Sequence, residues 1–353
     1  MTAILVALAL TAQNAAGVET ALREKVRQAP ASFEANHQLA EFYAHQGKVA
    51  LAIPYFEKAR TADPNHYVNG YDLSLAYMDT GNGEKARQQI TTMMQREDRA
   101  ELHNLMGAVE EQAKRIEPAA REYQRAAEMD PSEKHVFDFA NCLLRYNAGA
   151  KAQKIFEYGV DKYPKSARMR VGLGIAFYSV GQYDQAVESL CQGVDLDPND
   201  SRPLTFLGMM YDISPALSDE VTKRLAHLVE VYPKNAAANY YYAVSLWKRT
   251  SGGDTASRLP KVEALLQKAV TLDPKLADAH FQLGILYQEQ SRLPLATREF
   301  ELAVKLRPDV DTFHYRLGQV YRESGQEEKA KLHFARYKEL HERKVAVPDL
   351  TKQ

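Results

Sequence analysis

The residues in this sequence that could do chemistry are ten histidines, two cysteines and a large number of carboxylates. Three of the histidines, His103, His280 and His314, stand at the start of similar stretches such as HFQLGILY and HYRLGQVY. A metal ion needs ligands that converge, and equivalent positions in adjacent helix pairs lie about 10 Å apart. We therefore interpret these imidazoles as packing residues, and we predict no metal site.

The other signals for chemistry are absent from the sequence. It contains no phosphate-binding GxxxxGK[ST], no GxGxxG after a strand, no GxSxG and no HExxH. Cys142 and Cys191 lack the CxxC spacing, which excludes a cysteine-rich zinc site and indicates two small buried residues. The carboxylates fall on helix faces that we expect to be solvated. The sequence thus predicts no catalytic group and no cofactor, and we expect the protein not to be an enzyme.

The structural elements that would position any site recur at regular intervals along the chain. The stretch at His280 returns at His314, 34 residues later, and the same apolar spacing can be followed from residue 33 to about 340. Each copy has two amphipathic stretches with a short turn between them, and the turn often contains glycine. Seven copies have alanine at one position of the second stretch, namely Ala52, Ala86, Ala119, Ala152, Ala186, Ala296 and Ala330.

This pattern resembles the tetratricopeptide repeat, whose signature runs Leu-Gly-x-x-Tyr, Ala-x-x-x-Phe and Pro. The resemblance implies an all-α fold, a right-handed α-solenoid of about nine helix-turn-helix repeats over residues 31–343. Small residues would let the paired helices approach, and large aromatic residues would fill the space between neighbouring repeats. Two copies depart from the pattern. Glu220 replaces the alanine in one copy, and the next carries a Gly/Ser/Thr-rich insertion at 248–261, which we interpret as a surface loop, with a contact loop as the alternative.

The ends of the chain differ from the repeats. Residues 1–17 contain the apolar run AILVALAL and are a candidate signal peptide or a disordered start, so we expect a periplasmic or secreted protein if the run is a signal and a cytoplasmic one otherwise. Residues 18–30 predict a capping helix with Val18, Leu22 and Val26 on one face. Residues 344–353 predict a disordered tail. No later segment is long and apolar enough to span a membrane.

Resemblance to the family also implies where a partner would bind. The side chains that face the concave groove are typically those at the second, fifth, sixth, ninth and twelfth places of each repeat. Those places hold aromatic residues and one arginine in the last three repeats, and a cation at the second place of three successive middle repeats. The resulting candidate partner-binding residues are Tyr240, Tyr241, Trp247, Phe281, Tyr315 and Arg316, followed by Lys134, Arg168 and Arg202. The alternatives are that some rings pack in the core and that the cations are merely solvated.

One sharper possibility fails on the sequence. Family members that grip the terminal carboxylate of chaperone tails use Lys and Asn at fixed places of three successive repeats. Asn141 is at the ninth place of its repeat, but Phe137 stands at the fifth, so the set is incomplete.

The sequence therefore predicts a non-catalytic scaffold that binds a protein or peptide partner in the groove. The alternative is an accessory subunit or regulatory domain of an envelope assembly (secretion, pilus or polysaccharide export) or of an enzyme. The net charge of −1 gives no electrostatic case for nucleic acid as a partner.

Overall fold

The computed structural model describes residues 2–210, 213, 215–248 and 255–346. Within these residues all regular structure is helical, and none of them lies in a β-strand. The chain divides into two compact units, Met1–Pro164 and Lys165–Gln353. The predicted all-α repeat architecture is confirmed.

The N-terminal unit has one leading helix and four helix pairs. Its helices are α1 (Thr2–Gln28), α2 (Phe33–His45), α3 (Val49–Ala62), α4 (Tyr67–Asp79), α5 (Gly83–Met94), α6 (Ala100–Gln112), α7 (Ile116–Met129), α8 (Glu133–Arg145) and α9 (Gly149–Lys162). Each helix packs on the next along the chain, and the first helices α4, α6 and α8 also contact one another in that order. This is the stacking that a repeat needs in order to bury its apolar face.

The C-terminal unit has five helix pairs. Its helices are α10 (Ala167–Ser179), α11 (Tyr183–Leu196), α12 (Arg202–Met210), α13 (Pro215–Val231), α14 (Ala236–Lys248), α15 (Thr255–Leu272), α16 (Ala277–Glu289), α17 (Leu293–Leu306), α18 (Asp311–Glu323) and α19 (Glu327–Ala346). The first helix α12 contacts both α10 and α14, and α16 contacts α18. We call α2, α4, α6, α8, α10, α12, α14, α16 and α18 the first helices, and their partners the second helices.

Close approach of the two helices in a pair depends on small residues. All seven alanines of the repeat pattern are at most 1% exposed. At Gly284 a β-carbon would lie 2.7 Å from the ring of Phe300, which is fully buried on the second helix of the same pair. The glycine beside the repeat leucine therefore makes room for the aromatic ring, as the sequence pattern predicts.

The turn inside a pair has one recurring conformation. One residue in the turn after each of seven first helices has a positive φ. This angle is between 70° and 79° at the glycines, Gly47, Gly81, Gly181 and Gly325, and it is 58° at Lys114, Asn147 and Ser291. In the turn around Gly47, its N–H donates to the carbonyl of Ala44 at 2.9 Å, which satisfies an end of α2. Glycine is favoured here because the left-handed region is strained for other residues.

The departures from the repeat pattern are partly described. Helix α15 begins at Thr255, so the second half of the 248–261 insertion is helical, whereas we had expected a loop throughout; residues 249–254 lie outside the described residues. Helix α12 has 9 residues, and α13 begins at Pro215; residues 211, 212 and 214 between them lie outside the described residues.

The two ends are longer helices than expected. Helix α1 runs from Thr2 to Gln28, so it includes the predicted capping segment and most of the candidate signal segment. On it Val26 is buried and Leu22 packs against the core, whereas Val18 is 44% exposed. Helix α19 continues to Ala346, and the rest of the predicted tail is outside the described residues. The roles that we assigned to both ends stay predictions.

Candidate functional site

Helices α14, α16 and α18 hold the predicted aromatic residues, and these do not all have the same surroundings. Tyr241 is half-buried and packs against α12: its hydroxyl donates to Oγ1 of Thr205 at 3.1 Å, and its ring covers Gly208, where a β-carbon would lie 2.6 Å from it. Burial raises the pKa of the Tyr241 hydroxyl. Tyr240 meets Tyr241 edge-on at 4.8 Å between ring centroids and stays half-buried. Tyr241 therefore joins α14 to α12, and Tyr240 presents part of its ring.

Phe281 and Tyr315 contact rings on neighbouring helices. Phe281 of α16 stacks on Phe313 of α18, with 4.5 Å between ring centroids, and is half-buried. Tyr315 of α18 is 40% exposed, and its ring centroid lies 5.1 Å from the ring centroid of Tyr337 on α19. Trp247 is half-buried against the main apolar core of the C-terminal unit. Tyr315 is thus the most accessible ring of the predicted set.

Two further rings that the sequence analysis did not single out lie on the same face. Tyr178 is at the twelfth place of its repeat on α10, and Phe206 is at the sixth place on α12; both are half-buried. Their centroids are 5.7 Å apart in an edge-on contact. Beside them, Met209 on α12 is 54% exposed. Reading the same five places in the earlier repeats of the C-terminal unit would have found all three. We call Tyr178, Phe206, Met209, Tyr240, Phe281, Tyr315 and Arg316 the aromatic face of the C-terminal unit.

The predicted cations are partly neutralised by nearby carboxylates. Lys134 lies 2.7 Å from Oδ2 of Asp138 on the same helix. Arg202 makes an ion pair of 2.7 Å with Asp200, and this contact lowers the pKa of the Asp200 carboxyl. Arg168 is half-buried on α10. Lys134 belongs to the N-terminal unit and the two arginines belong to the C-terminal unit.

Of the three histidines at the equivalent repeat position, His280 and His314 are buried, as predicted, whereas His103 is half-buried. Nδ1 of His280 lies 2.6 Å from Oε2 of Glu299, and its Nε2 donates to the carbonyl of Pro274 at 3.2 Å. His314 is placed in the same way, with His333 in place of the glutamate, 3.0 Å between the two Nδ1 atoms. These imidazoles link the first helix of a pair to the second helix and to the preceding turn.

Not every carboxylate is solvated, which corrects one expectation. Glu299 is 9% exposed beside His280, and Glu110 is 7% exposed between Arg87, at 2.8 Å, and Arg115, at 3.0 Å. Both have cationic or imidazole partners that compensate for the loss of water. These contacts join neighbouring helices.

The two cysteines are buried, as predicted. Burial raises the pKa of the Cys142 thiol to about 11 and that of Cys191 to about 12. Both thiols are therefore protonated at neutral pH and poor nucleophiles.

The sequence analysis overlooked a group of possible metal ligands in the N-terminal unit. His37 and Glu41 on α2 and Asp72 on α4 each place a ligand atom within 4.8 Å of the others. The spacing of four residues between His37 and Glu41 is a signal that the sequence does contain, because residues four apart lie on one face of a helix.

Comparison with known proteins identifies the family. Two models of the tetratricopeptide repeat match the chain, one over residues 7–67, 140–201 and 281–342 and the other over residues 44–109. The chain belongs to the tetratricopeptide repeat family.

Relatives with curated descriptions are much longer than this chain. A probable UDP-N-acetylglucosamine–peptide N-acetylglucosaminyltransferase SPINDLY of Hordeum vulgare is 27% identical over 154 residues, 43% of this chain and 16% of that protein. The CTR9 homolog of Arabidopsis thaliana is 23% identical over 232 residues, 58% of this chain and 21% of that protein. The chain spans about a fifth of the length of these relatives or less.

Solved structures with a similar fold include two proteins of different size. YrrB, described as a tetratricopeptide repeat protein with an unusual peptide-binding site, is 17% identical, with a TM-score of 0.43 over 53% of this chain and 97% of that chain. The human IFIT1 dimer with PPP-AAAA is 13% identical, with a TM-score of 0.45 over 92% of this chain and 80% of that chain. Among the described residues we find no helix with the length and apolar character needed to cross a bilayer.

Proposed function

We propose that the protein is a non-catalytic scaffold that binds a segment of a protein partner on the aromatic face of the C-terminal unit. The observation that carries this proposal is the recurrence of partly exposed rings on successive first helices. Each first helix of the C-terminal unit carries at least one such ring. In order from α10 to α18, those of the aromatic face are Tyr178, Phe206, Tyr240, Phe281 and Tyr315. Rigid aromatic side chains give a large contact area and lose little conformational entropy on binding.

The charges on this face favour a particular kind of segment. Arg316 is half-buried next to Tyr315, and its guanidinium donates a long hydrogen bond of 3.4 Å to Oε1 of Gln319 on the same helix. A guanidinium beside an aromatic ring suits a carboxylate of a ligand whose neighbouring side chain is apolar. The expected partner segment therefore combines apolar anchors with acidic residues.

The test is affinity capture with matched variants of the full chain. The bait is the wild type, a Tyr315→Ala/Arg316→Ala double variant, or a Tyr158→Ala control, in lysate of the organism that encodes the protein. Tyr158 is 48% exposed on the second helix α9 of the other unit, so it matches Tyr315 in type and exposure. Tyr241 and Phe281 are left intact because their substitution would disturb core packing.

We expect the same partner to be recovered with the wild type and with Tyr158→Ala, and at least tenfold less of it with the double variant, while circular dichroism shows all three folded. Equal recovery with all three baits would contradict binding at the aromatic face. If the partner instead co-purifies in a fixed ratio through gel filtration, independently of Tyr315, the protein is an accessory subunit of an assembly.

A further inference from the structure

The N-terminal unit contains a group of three side chains that has no role in the proposed function. His37 and Glu41 project from adjacent turns of α2, and Asp72 projects from α4, the first helix of the next repeat. One nitrogen and two carboxylate oxygens lie within 4.8 Å of one another. Metal–ligand distances to nitrogen and oxygen are about 2.0–2.2 Å, so two atoms bound to one ion lie at most about 4.4 Å apart. A shift of the two carboxylates by a few tenths of an ångström would let a single ion contact all three side chains.

A buried amide determines which nitrogen of His37 is available. Asn69 is fully buried, and its Nδ2 donates to the carbonyl of Phe56 at 3.1 Å. Its Oδ1 therefore faces Nδ1 of His37, 3.0 Å away, and an amide oxygen only accepts. The proton must consequently be on Nδ1 of His37. This is the arrangement that orients metal-binding histidines, in which the second ring nitrogen donates to an outer oxygen.

The other nitrogen then faces an acceptor. Nε2 of His37 lies 3.4 Å from Oε1 of Glu41. In the neutral imidazole Nε2 has a lone pair and no proton, so two acceptors face each other beside a second carboxylate. Only a cation between them, either a proton on Nε2 or a metal ion, makes this arrangement favourable.

The imidazole cannot turn away from this contact. Its side chain is 10% exposed, and its ring stacks on Phe33 with 5.2 Å between centroids. The ring of His66 lies 5.4 Å away, and that of Phe56 lies 5.9 Å away. Packing thus holds one ligand in place before any ion binds, which is what a preorganised site requires.

Solvent can reach the group from one side. A cavity of about 180 Å³ is lined by two of the three side chains, Glu41 and Asp72, together with His45 and Asp79. The Glu41 side chain is 42% exposed, and Asp72 is half-buried, so that burial raises the pKa of its carboxyl. This space can hold water ligands that complete the coordination of an ion, and a bound dication would offset the two adjacent negative charges.

We propose that His37, Glu41 and Asp72 bind a divalent transition-metal ion, with Zn²⁺ as the ion that fits best. One imidazole nitrogen and two carboxylate oxygens favour Zn²⁺ over Mg²⁺ and Ca²⁺, which prefer oxygen ligands alone. This site goes beyond the proposed partner binding and lies in the other unit. It also reverses the expectation from the sequence that there is no metal site.

The test uses the full-length, tag-free chain after a chelator has removed bound metals. The chain is titrated with ZnCl₂, and binding is measured by isothermal titration calorimetry. We expect one Zn²⁺ per chain at this site, and binding at least tenfold weaker in Asp72→Asn and in His37→Gln. MgCl₂ at the same concentrations should give no saturable binding. Replacing Asn69 by Leu, which removes the acceptor for Nδ1, should weaken binding about 10- to 100-fold.

The matched control is His103→Gln. His103 also has two carboxylates, but they occupy both of its nitrogens directly, Glu122 at 2.6 Å from Nδ1 and Asp98 at 2.7 Å from Nε2. This variant should bind Zn²⁺ as the wild type does. A second measurement does not depend on any variant: Co²⁺ added to the wild type should give visible absorption bands that ZnCl₂ abolishes.

The proposal is overturned if the wild type binds no stoichiometric Zn²⁺, in which case a proton holds the His37–Glu41 pair together. It is also overturned if Asp72→Asn and His37→Gln, folded by circular dichroism, bind Zn²⁺ as tightly as the wild type. Neither result would bear on the aromatic face, because capture by that face is measured with Tyr315 and Arg316.

Discussion

At the scale of single residues, tyrosines connect three of the first helices, α4, α16 and α18, to the second helix that precedes each of them. The hydroxyl of Tyr77 donates to Oε1 of Glu57, twenty residues earlier. The same separation joins Tyr287 to Gln267 and Tyr321 to Glu301. The tyrosine of the repeat signature thus fills space between repeats and also makes a polar link across the interface, which the apolar pattern alone did not predict.

Because of this link, we expect the free energy of unfolding to change with pH in the alkaline range. Burial, with the Glu57 hydrogen bond as the next contribution, raises the pKa of Tyr77 to about 12, whereas an unfolded tyrosine titrates near 10. Between these values the unfolded chain loses the proton and the folded chain keeps it, so the free energy of unfolding falls as pH rises. A difference of two pKa units corresponds to a loss of at most about 2.7 kcal/mol.

The measurement is urea unfolding at pH 8 and at several values from pH 10 to 11.5. We expect Tyr77→Phe to be less stable than the wild type at pH 8, and to lose less free energy than the wild type over the alkaline range. Tyr158→Phe, at an exposed ring, should follow the wild type throughout. Parallel curves for Tyr77→Phe and the wild type would show that Tyr77 titrates normally.

At the scale of elements, the turn between paired helices has one position with positive φ that favours glycine. Some repeats have glycine there and others do not. Ser291 and Gly325 occupy the same turn position in the last two repeats, with φ 58° and φ 73°. Both positions are exposed. A serine there has the strain of the left-handed region without any compensating burial.

Exchanging the two residue types should therefore have opposite effects. We expect Ser291→Gly to raise the free energy of unfolding by about 0.5–1 kcal/mol, after the greater entropy of glycine in the unfolded chain is included. Gly325→Ser should lower it by about 1 kcal/mol. Denaturant unfolding of both variants at pH 7 is the measurement, and a change of the same sign in both would contradict the role assigned to this turn.

The elements were predictable from the sequence because the repeat constrains them many times over. The seven buried alanines, the glycines beside the repeat leucines and the turn glycines each carry out one physical task that recurs with the period. The lengths of α1 and α15 were not predictable in this way. Each contains residues outside the repeat pattern, so no recurring contact indicates where the helix begins.

The candidate sites were less predictable than the elements, because they depend on contacts between repeats. His37 and Asp72 are 35 residues apart in the sequence and converge only when α2 and α4 are stacked. Likewise, the sequence placed Tyr240 and Tyr241 on one face, but the structure shows that Tyr241 is used to cover Gly208. The sequence predicts the position of an aromatic residue within its repeat. Whether its ring is exposed depends on how neighbouring repeats pack.

At the scale of the whole molecule, the two units present first-helix faces of different chemistry. The equivalent places in the N-terminal unit hold six carboxylates, Glu34, Glu41, Asp72, Glu101, Glu111 and Asp138. The C-terminal unit has the aromatic face with arginines beside it. This difference is in keeping with the two proposals, partner binding on the C-terminal unit and ion binding on the N-terminal unit.

The most direct test of the central claim is photo-cross-linking by single residues of the aromatic face. A benzophenone amino acid would replace Met209 or Tyr315 in two variants and, as controls, Tyr158 or Leu332 in two others. Met209 is 54% exposed, and Leu332 on the second helix α19 is 67% exposed, so all four positions are accessible.

After irradiation with the captured partner, we expect cross-links from positions 209 and 315 and none from positions 158 and 332. Cross-links from 158 or 332 alone, or equal yields from all four positions, would contradict binding at the aromatic face.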